Sequence, residues 1–392
     1  AAADAVGVIQ EMLATVSASS GFANSGSFSV DTAATAHGTE SAVAGSEAIG
    51  FTVTAEPLSV DASNSGDFTV TSTSTSDGFA EAFAGGIGFF ADIDPNDLPA
   101  EEGGGGNGQG GNPGNGGDHE EEEEDPWEGW TNALAGTVTN SGNIDVTATA
   151  LGGDLTGDVM VPVGITTQDV ADPNAFAEAI GLYFDSVTNT MTVTNTGTLS
   201  VTAVTDGGWS QATGIQVETF DDSPVVPGEE DAMSILNDGG TIIARISTDG
   251  GATYQHGVAI DVSEAPVPTG LTFTGDSHVY GDILLSEDDT ITVSGGTLFL
   301  DGTVNPFVET NGIDTAMLTA SIDHDLIAAA GPVGPLIGSL SVASDGTLFL
   351  EDQPGTTTYS GPASVNVDSF TIAPGGTLAL QLPSSTLAVD AP

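Results

Sequence analysis

The residues in this chain best suited to chemistry are acids. Asp92, Asp94 and Asp97 stand in Asp92-Ile93-Asp94-Pro95-Asn96-Asp97, which opens like a calcium loop, with side-chain oxygens alternating along a tight turn. The likeness stops there. Asp97 sits where such a loop needs Gly, and Gly103 sits where it needs Glu. A second acidic set follows in Asp118-His119-Glu120-Glu121-Glu122-Glu123-Glu124-Asp125. Carboxylate oxygens are the ligands a hard cation prefers, so Asp92, Asp94, Asp97, Asp118, His119, Glu120, Glu122 and Glu124 form the expected Ca²⁺-binding set. The competing reading of the same run is a solvated acidic loop.

Catalytic patterns are sparse. There is no Cys for a thiolate nucleophile or a thiolate metal site, and no Lys for a lysine base. Carboxylates are too numerous for any pair to stand out as an acid–base couple. Asp323-His324-Asp325 is the one local His–acid cluster, and it reads as a surface turn. His37, His256 and His278 lie in strand or turn contexts and read as ordinary edge residues. Arg245, the sole Arg, lies between Ala244 and Ile246 and is expected to pair with nearby carboxylates. Trp127 and Trp130 flank the acidic loop, where they would pack it down or meet a partner or a sugar. The acidic corners Asp221-Asp222, Glu229-Glu230-Asp231 and Glu287-Asp288-Asp289 read as solvated turns. No catalytic constellation is expected.

The charge balance excludes whole classes of partner. The 392 residues hold 56 Asp plus Glu against one Arg, a net charge of −55. Nucleic-acid binding needs Lys or Arg to displace counterions from phosphates, and anionic membranes repel such a chain. No apolar run is long enough to span a bilayer; Leu326 to Gly338 is broken by Pro332 and Pro335. The chain is nevertheless 39% hydrophobic, well above the range of acidic disordered sequences. Gly, Thr, Ser, Val and Ala dominate, a mixture that favours strands and tight turns over helices. Ala1, in place of an initiator Met, is read as a sign of processing such as leader removal.

The elements that must position these residues are repeats. Asn24-Ser25-Gly26-Ser27-Phe28-Ser29-Val30 returns as Asn64-Ser65-Gly66-Asp67-Phe68-Thr69-Val70, Asn140-Ser141-Gly142-Asn143-Ile144-Asp145-Val146 and Asn195-Thr196-Gly197-Thr198-Leu199-Ser200-Val201. A degenerate copy runs from Asp238 to Ala244. The Asn-Ser-Gly part is expected to turn at positive φ, and the alternation after it is that of a half-buried strand. About twenty residues on comes a Gly-Ile motif: Glu47-Ala48-Ile49-Gly50-Phe51, Ala84-Gly85-Gly86-Ile87-Gly88, Pro162-Val163-Gly164-Ile165, Ala212-Thr213-Gly214-Ile215-Gln216 and His256-Gly257-Val258-Ala259-Ile260. After Ser277 the style changes to Gly-Gly or Asp-Gly corners feeding Thr-Leu strands, as in Gly295-Gly296-Thr297-Leu298 and Asp345-Gly346-Thr347-Leu348. Residues 93–127 interrupt the repeat with a Gly-rich stretch and the poly-Glu run. The expected organisation is therefore β repeats over 1–92, the insertion over 93–127, repeats again over 128–270, and C-terminal β coils over 271–392.

These patterns predict an all-β chain, a single-stranded right-handed parallel β-helix (β-solenoid) with one long acidic Gly-rich insertion. Two coils per repeat would make some fifteen coils and a rod of roughly 70 Å. A β-sandwich is the competing architecture. The Asn-Ser-Gly and Gly-Ile repeats, in their order and number, resemble those of bacterial autotransporter passenger domains, and the Gly-Gly-Thr-Leu coils resemble the C-terminal end of a passenger. The translocating barrel that follows a passenger is not in this sequence. The resemblance implies a β-helix carried across the outer membrane and displayed or released outside. The expected function is thus a secreted structural or adhesive protein of the bacterial surface. Its expected partners are itself, in a cation-bridged filament or layer, and extracellular glycans, without nucleic acid and without membrane insertion. The alternatives are a monomeric adhesin for glycans or host surfaces and a polysaccharide-degrading enzyme.

Overall fold

The computed structural model describes residues 1–12, 18–37, 42–55, 58–90, 134–153, 175–185, 191–218, 233–265, 267–305, 337–350 and 363–380. Among these the chain is all-β, without helix. The strands fall into nine successive rows. The first row is β1 (Ala2–Met12), β2 (Ala18–Asn24) and β3 (Ser27–Ala36); the second is β4 (Val43–Ala55), β5 (Leu58–Asn64) and β6 (Asp67–Ser76). The third is β7 (Phe79–Phe90), β8 (Leu134–Asn140) and β9 (Asn143–Leu151); the fourth is β10 (Ala175–Asp185), β11 (Met191–Asn195) and β12 (Thr198–Thr205). The fifth is β13 (Trp209–Glu218), β14 (Met233–Asp238) and β15 (Thr241–Ser247), with the short β16 (Gln255–His256) beside it. Rows six and seven are β17 (Val258–Asp261) with β18 (Thr269–Tyr280), and β19 (Asp282–Leu284) with β20 (Thr290–Asp301). Row eight is β21 (Thr303–Val304), β22 (Ser339–Val342) and β23 (Gly346–Leu350); row nine is β24 (Ser364–Val365), β25 (Ser369–Ile372) and β26 (Thr377–Leu380).

Each strand pairs in parallel with its counterpart in the next row, which builds three ladders. The first is a nine-stranded sheet, β1-β4-β7-β10-β13-β17-β19-β21-β24. The second and third belong to one 17-stranded sheet, because β18 and β20 each serve both. Among the described residues the pairing is antiparallel only between β15 and β16 and at the Asp206–Asp249 bridge. Nine rows at a strand spacing of ~4.8 Å extend about 40 Å, not the roughly 70 Å expected. The expectation of two coils per repeat was wrong for a simple reason. The two motifs of a repeat lie on different ladders of one row, so Asn24 and Asn64, 40 residues apart, are neighbours.

Registers are continuous over the first five rows and shift only at Val258/Ile260 and Phe273/Gly275 beyond them, so like stacks on like through the interior. Phe28, Phe68, Ile144, Leu199 and Ile242 form one inward column, with the Phe28 and Phe68 rings stacked at 4.8 Å. Val8, Phe51, Ile87, Leu182 and Ile215 form another. A fully buried Phe or Leu contributes on the order of 2–3 kcal/mol, so repetition of these columns is the main driving force.

A polar column runs beside them. The Asn24 Nδ2 donates to Asn64 Oδ1 at 2.8 Å, Asn64 to Asn140 at 2.9 Å, Asn140 to Asn195 at 2.8 Å and Asn195 to Asn237 at 2.7 Å. The second amide proton of each goes to a backbone carbonyl, at 3.0 Å for Asn24 to Asp67 and 3.1 Å for Asn64 to Asn143 and Asn140 to Thr198. Asn64, Asn140 and Asn195 are 2% exposed, so water cannot replace a lost partner. The degenerate copy joins the column through Asn237, not Asp238. Its turn holds one residue more than the others, and Gly239, at φ 66°, absorbs it.

The glycines of the Asn-Ser-Gly turns do not serve the expected purpose. Gly26, Gly66, Gly142 and Gly197 have no left-handed φ. They are needed for closeness: a Cβ on Gly66, Gly142 or Gly197 would lie 2.0–2.1 Å from the carbonyl oxygen of the glycine one row before. The Gly-Ile motif works the same way through Gly50, Gly86, Gly181 and Gly214. In the fourth row the place expected for Pro162-Val163-Gly164-Ile165, which lies outside the described residues, is held by Ala179-Ile180-Gly181-Leu182.

Two predictions follow from the stacking. Asn140→Ala orphans amide groups on both Asn64 and Asn195 and is expected to cost about 3 kcal/mol in denaturant unfolding, with Asn24→Ala, at the open end, costing clearly less. Gly142→Ala is expected to lower stability by about 1–3 kcal/mol. Gly26→Ala, with nothing within 4 Å of the added Cβ, is expected to be near neutral in the same measurement.

Candidate functional site

The residues expected to bind Ca²⁺, namely Asp92, Asp94, Asp97, Asp118, His119, Glu120, Glu122 and Glu124, lie outside the described residues, as do Trp127, Trp130, Asp221, Asp222, Glu229, Glu230, Asp231 and the Asp323-His324-Asp325 cluster. Among the described residues no group of three or more His, Asp or Glu is arranged to hold a metal ion.

Among the described residues a group of polar and aromatic side chains lies on the outward face of the first ladder, across β10, β13 and β17. Strand alternation turns Phe176, Glu178 and Ile180 outward. At Gly181 two successive residues, Gly181 and Leu182, face inward, and the outward set resumes at Tyr183. Register then places Phe176 beside Trp209, Glu178 beside Gln211, and Tyr183 beside Gln216, which in turn adjoins Asp261. The Phe176 and Trp209 rings stack at 4.3 Å and 15°, half-buried. The rings of Phe90 and Tyr183 meet at 5.0 Å.

Glu218 is the hub of this face. The Tyr183 hydroxyl donates to its Oε1 and the Gln216 Nε2 to its Oε2, at 2.9 Å for the latter. Among the described residues the buried Gln216 Oε1 meets no hydrogen-bond partner. Burial raises the Glu178 carboxyl above the usual carboxylate range, and the charges of Glu218 and Glu81 add to the effect. Tyr183 is pushed above the ordinary phenol range, first by burial and then by its bond to Glu218. Burial lifts Asp261 to about 6, against the opposing bonds from Ser263. The face therefore combines aromatic surface with two carboxyl groups, Glu178 and Asp261, that burial shifts above the usual carboxylate range. Such groups can donate a proton or, once ionised, take a cation.

Arg245 does not pair with a carboxylate among the described residues. Its Nε donates to Thr202 Oγ1 at 3.0 Å, and its guanidinium lies 4.7 Å over the Tyr254 ring. His256 is no edge residue: it is buried, its Nε2 lies 3.1 Å from Asp301 Oδ1, and it meets Tyr280 edge-on. Sequence spacing could not show this, because the partners come from three different rows. Asp289 is likewise buried rather than solvated, accepting from the backbone of Thr269 at 2.7 Å and Ser286 at 2.6 Å. His37 lies at the surface, 3.2 Å from Asp77. His278 is exposed and stacks on Phe299 at 4.4 Å, and Phe299 meets Phe349 at 5.5 Å, so the third ladder carries an outward aromatic row.

No protein-family model, curated protein or solved structure matches the chain.

The raised carboxyls set a pH dependence. The folded value of Asp261 lies above the ordinary aspartate value of 3.8, so the stability its proton contributes is complete below that value and is lost as pH rises through about 6. The melting temperature is expected to fall between pH 5 and pH 7. Asp261→Asn is expected to melt higher than the natural chain at pH 7 and to show a shallower slope, as calorimetry across this range would read.

Proposed function

We propose that the chain is a right-handed, single-stranded parallel β-helix that works outside the cell, as a structural or adhesive shaft at a bacterial surface. The observation that carries this reading is the return to the same ladder once per row, with inward columns running unbroken from row to row. A chain that coils once per row builds a long body whose faces are regular and whose length scales with the number of repeats. The autotransporter resemblance of the repeats supplies the bacterial surface. With no Lys and one Arg, half-buried and stacked on Tyr254, the chain offers almost nothing to trypsin-like proteases, which suits persistence outside a cell.

A second reading, glycan adhesion by the same shaft, is favoured by the aromatic surfaces: the Phe176–Trp209 pair beside Glu178, and the His278–Phe299–Phe349 row. Aromatic faces stack on sugar rings, and carboxyl groups bind hydroxyls. Ca²⁺ at the acidic insertion belongs to this proposal as a charge-neutralising ion, since −55 on each copy opposes close approach.

Antibody labelling of intact cells of the source organism tests the location. Surface labelling without permeabilisation is expected, and labelling only after lysis would exclude an extracellular role. Glycan-array binding tests adhesion: Trp209→Ala is expected to abolish a signal carried by the first ladder, and Phe299→Ala one carried by the third.

A further inference from the structure

The side chains of this protein include one permanent cation, Arg245, against 56 acids. With acids in that excess, a carboxylate neighbour is the default for it. The fold supplies none among the described residues. Register sets Arg245 of β15 beside Thr202 of β12 on one side and His256 of β16 on the other. The acids close by are engaged elsewhere. Asp301 lies 3.1 Å from the Nε2 of His256. Asp249, the nearest acid along the chain, is committed to its own turn: it accepts from Ser247 Oγ at 2.8 Å, from the Thr253 amide at 2.8 Å and from the Thr253 hydroxyl.

That turn positions an aromatic ring. Ser247 Oγ accepts from the Gly251 amide at 2.9 Å, and Gly250 and Gly251, at φ 71° and 87°, reverse the chain toward β16. Tyr254 is thereby returned over β15, its ring centre 4.7 Å from the Arg245 guanidinium carbon. The Arg245 Nε donates to Thr202 Oγ1 at 3.0 Å, and Thr202 is buried. The guanidinium is thus held twice, by a hydrogen bond at Nε and by a ring against its face. A fork held this way loses little freedom when its remaining N–H groups take a ligand. Those groups, on Nη1 and Nη2, meet no acceptor among the described residues, and the Tyr254 hydroxyl meets no partner there either. Arg245 and Tyr254 are both partly exposed.

We propose that Arg245 and Tyr254 form a binding site for a carboxylate, and that the ligands it takes are acidic sugars, the hexuronates of a glycan. The guanidinium presents parallel N–H groups that match the two oxygens of a carboxylate, and the phenol hydroxyl adds a donor beside them. A carboxylate brings one negative charge, which this acidic chain opposes less than the two of a phosphate. A neutral sugar has no group that uses the fork. The carboxylate site stands on the geometry of the hairpin; the choice of a glycan as the source of the carboxylate rests on the adhesive reading.

The chain has a single arginine, so its one arginine Nε–H resonance reads this site alone. Titration of the full chain with a galacturonate disaccharide, in about 0.15 M salt where the screening length is about 8 Å, is expected to shift that resonance saturably. The matching galactose disaccharide is expected to leave it in place. In calorimetry with the galacturonate disaccharide, Arg245→Gln is expected to weaken binding about tenfold or more. Arg245→Lys, which keeps the charge and loses the fork, is expected to weaken it nearly as much. Tyr254→Phe, which keeps the ring and loses the hydroxyl, is expected to weaken it about threefold. Thermal melts check that the variants fold. The proposal is overturned by the absence of a saturable shift, by an equal shift with the neutral disaccharide, or by unchanged affinity in Arg245→Gln. Acetate that saturates the resonance as tightly as the galacturonate would uphold the carboxylate site and overturn its assignment to sugars. A glycan-array signal that Trp209→Ala or Phe299→Ala removes and Arg245→Gln leaves intact would uphold adhesion and overturn this site.

Discussion

The buried asparagine column is the constraint on which the stacking depends. An amide taken out of water must have both donors and its acceptor met, and here each is met by the row above, the row below and the neighbouring backbone. A hydrophobic column tolerates a small slip between rows, because dispersion has no direction. A hydrogen-bonded amide does not, since a one-residue slip turns its side chain to the other face of the strand. Apolar burial drives the chain together, and the asparagines decide the register in which it comes together.

That register makes the glycines necessary. Two glycine columns bring backbones so close that a single methyl group would meet a carbonyl oxygen at 2.0–2.6 Å. Close approach in turn lets turn amides bond from row to row, as Ser141 to Asn64 and Thr196 to Asn140 do at 2.7 Å. Where the columns end, the rules relax. Asn237 is followed by Phe273, and the place of Gly214 passes to Ala259, where the pairing of β17 with β19 shifts. In rows six and seven, one long strand serves both the second and the third ladder.

Electrostatics works against the fold and is managed by position. Among the described residues most acids face outward, where water and salt screen them. The buried exceptions are held by specific donors, as Asp289 is by two backbone amides and Asp282 by the amide of Thr303. The outward carboxyls of Glu178 and Asp261 answer burial first, and then the charge of neighbouring acids, with raised pKa values. Among the described residues, the first-ladder face is therefore one place where carboxyl charge is displaced from its ordinary range.

The sequence alone determined that the chain is all-β, that it repeats, and which asparagines and glycines recur, because a two-residue alternation and a repeated turn are local signals. Its composition, without Cys or Lys, also excluded a thiolate nucleophile and a lysine base. Parallel pairing decided the rest: one row per repeat rather than two coils, Asn237 rather than Asp238 in the column, and contact rather than conformation as the reason for glycine at Gly66 and Gly142. The Glu178–Tyr183–Glu218–Asp261 group and the buried His256–Asp301 pair were not legible beforehand, because Glu178 and Tyr183 share a strand but reach Glu218 and Asp261, as His256 reaches Asp301, only across rows and over 35 residues or more. Local sequence records which way a side chain points along its strand. Only the stacking of rows decides what stands beside it.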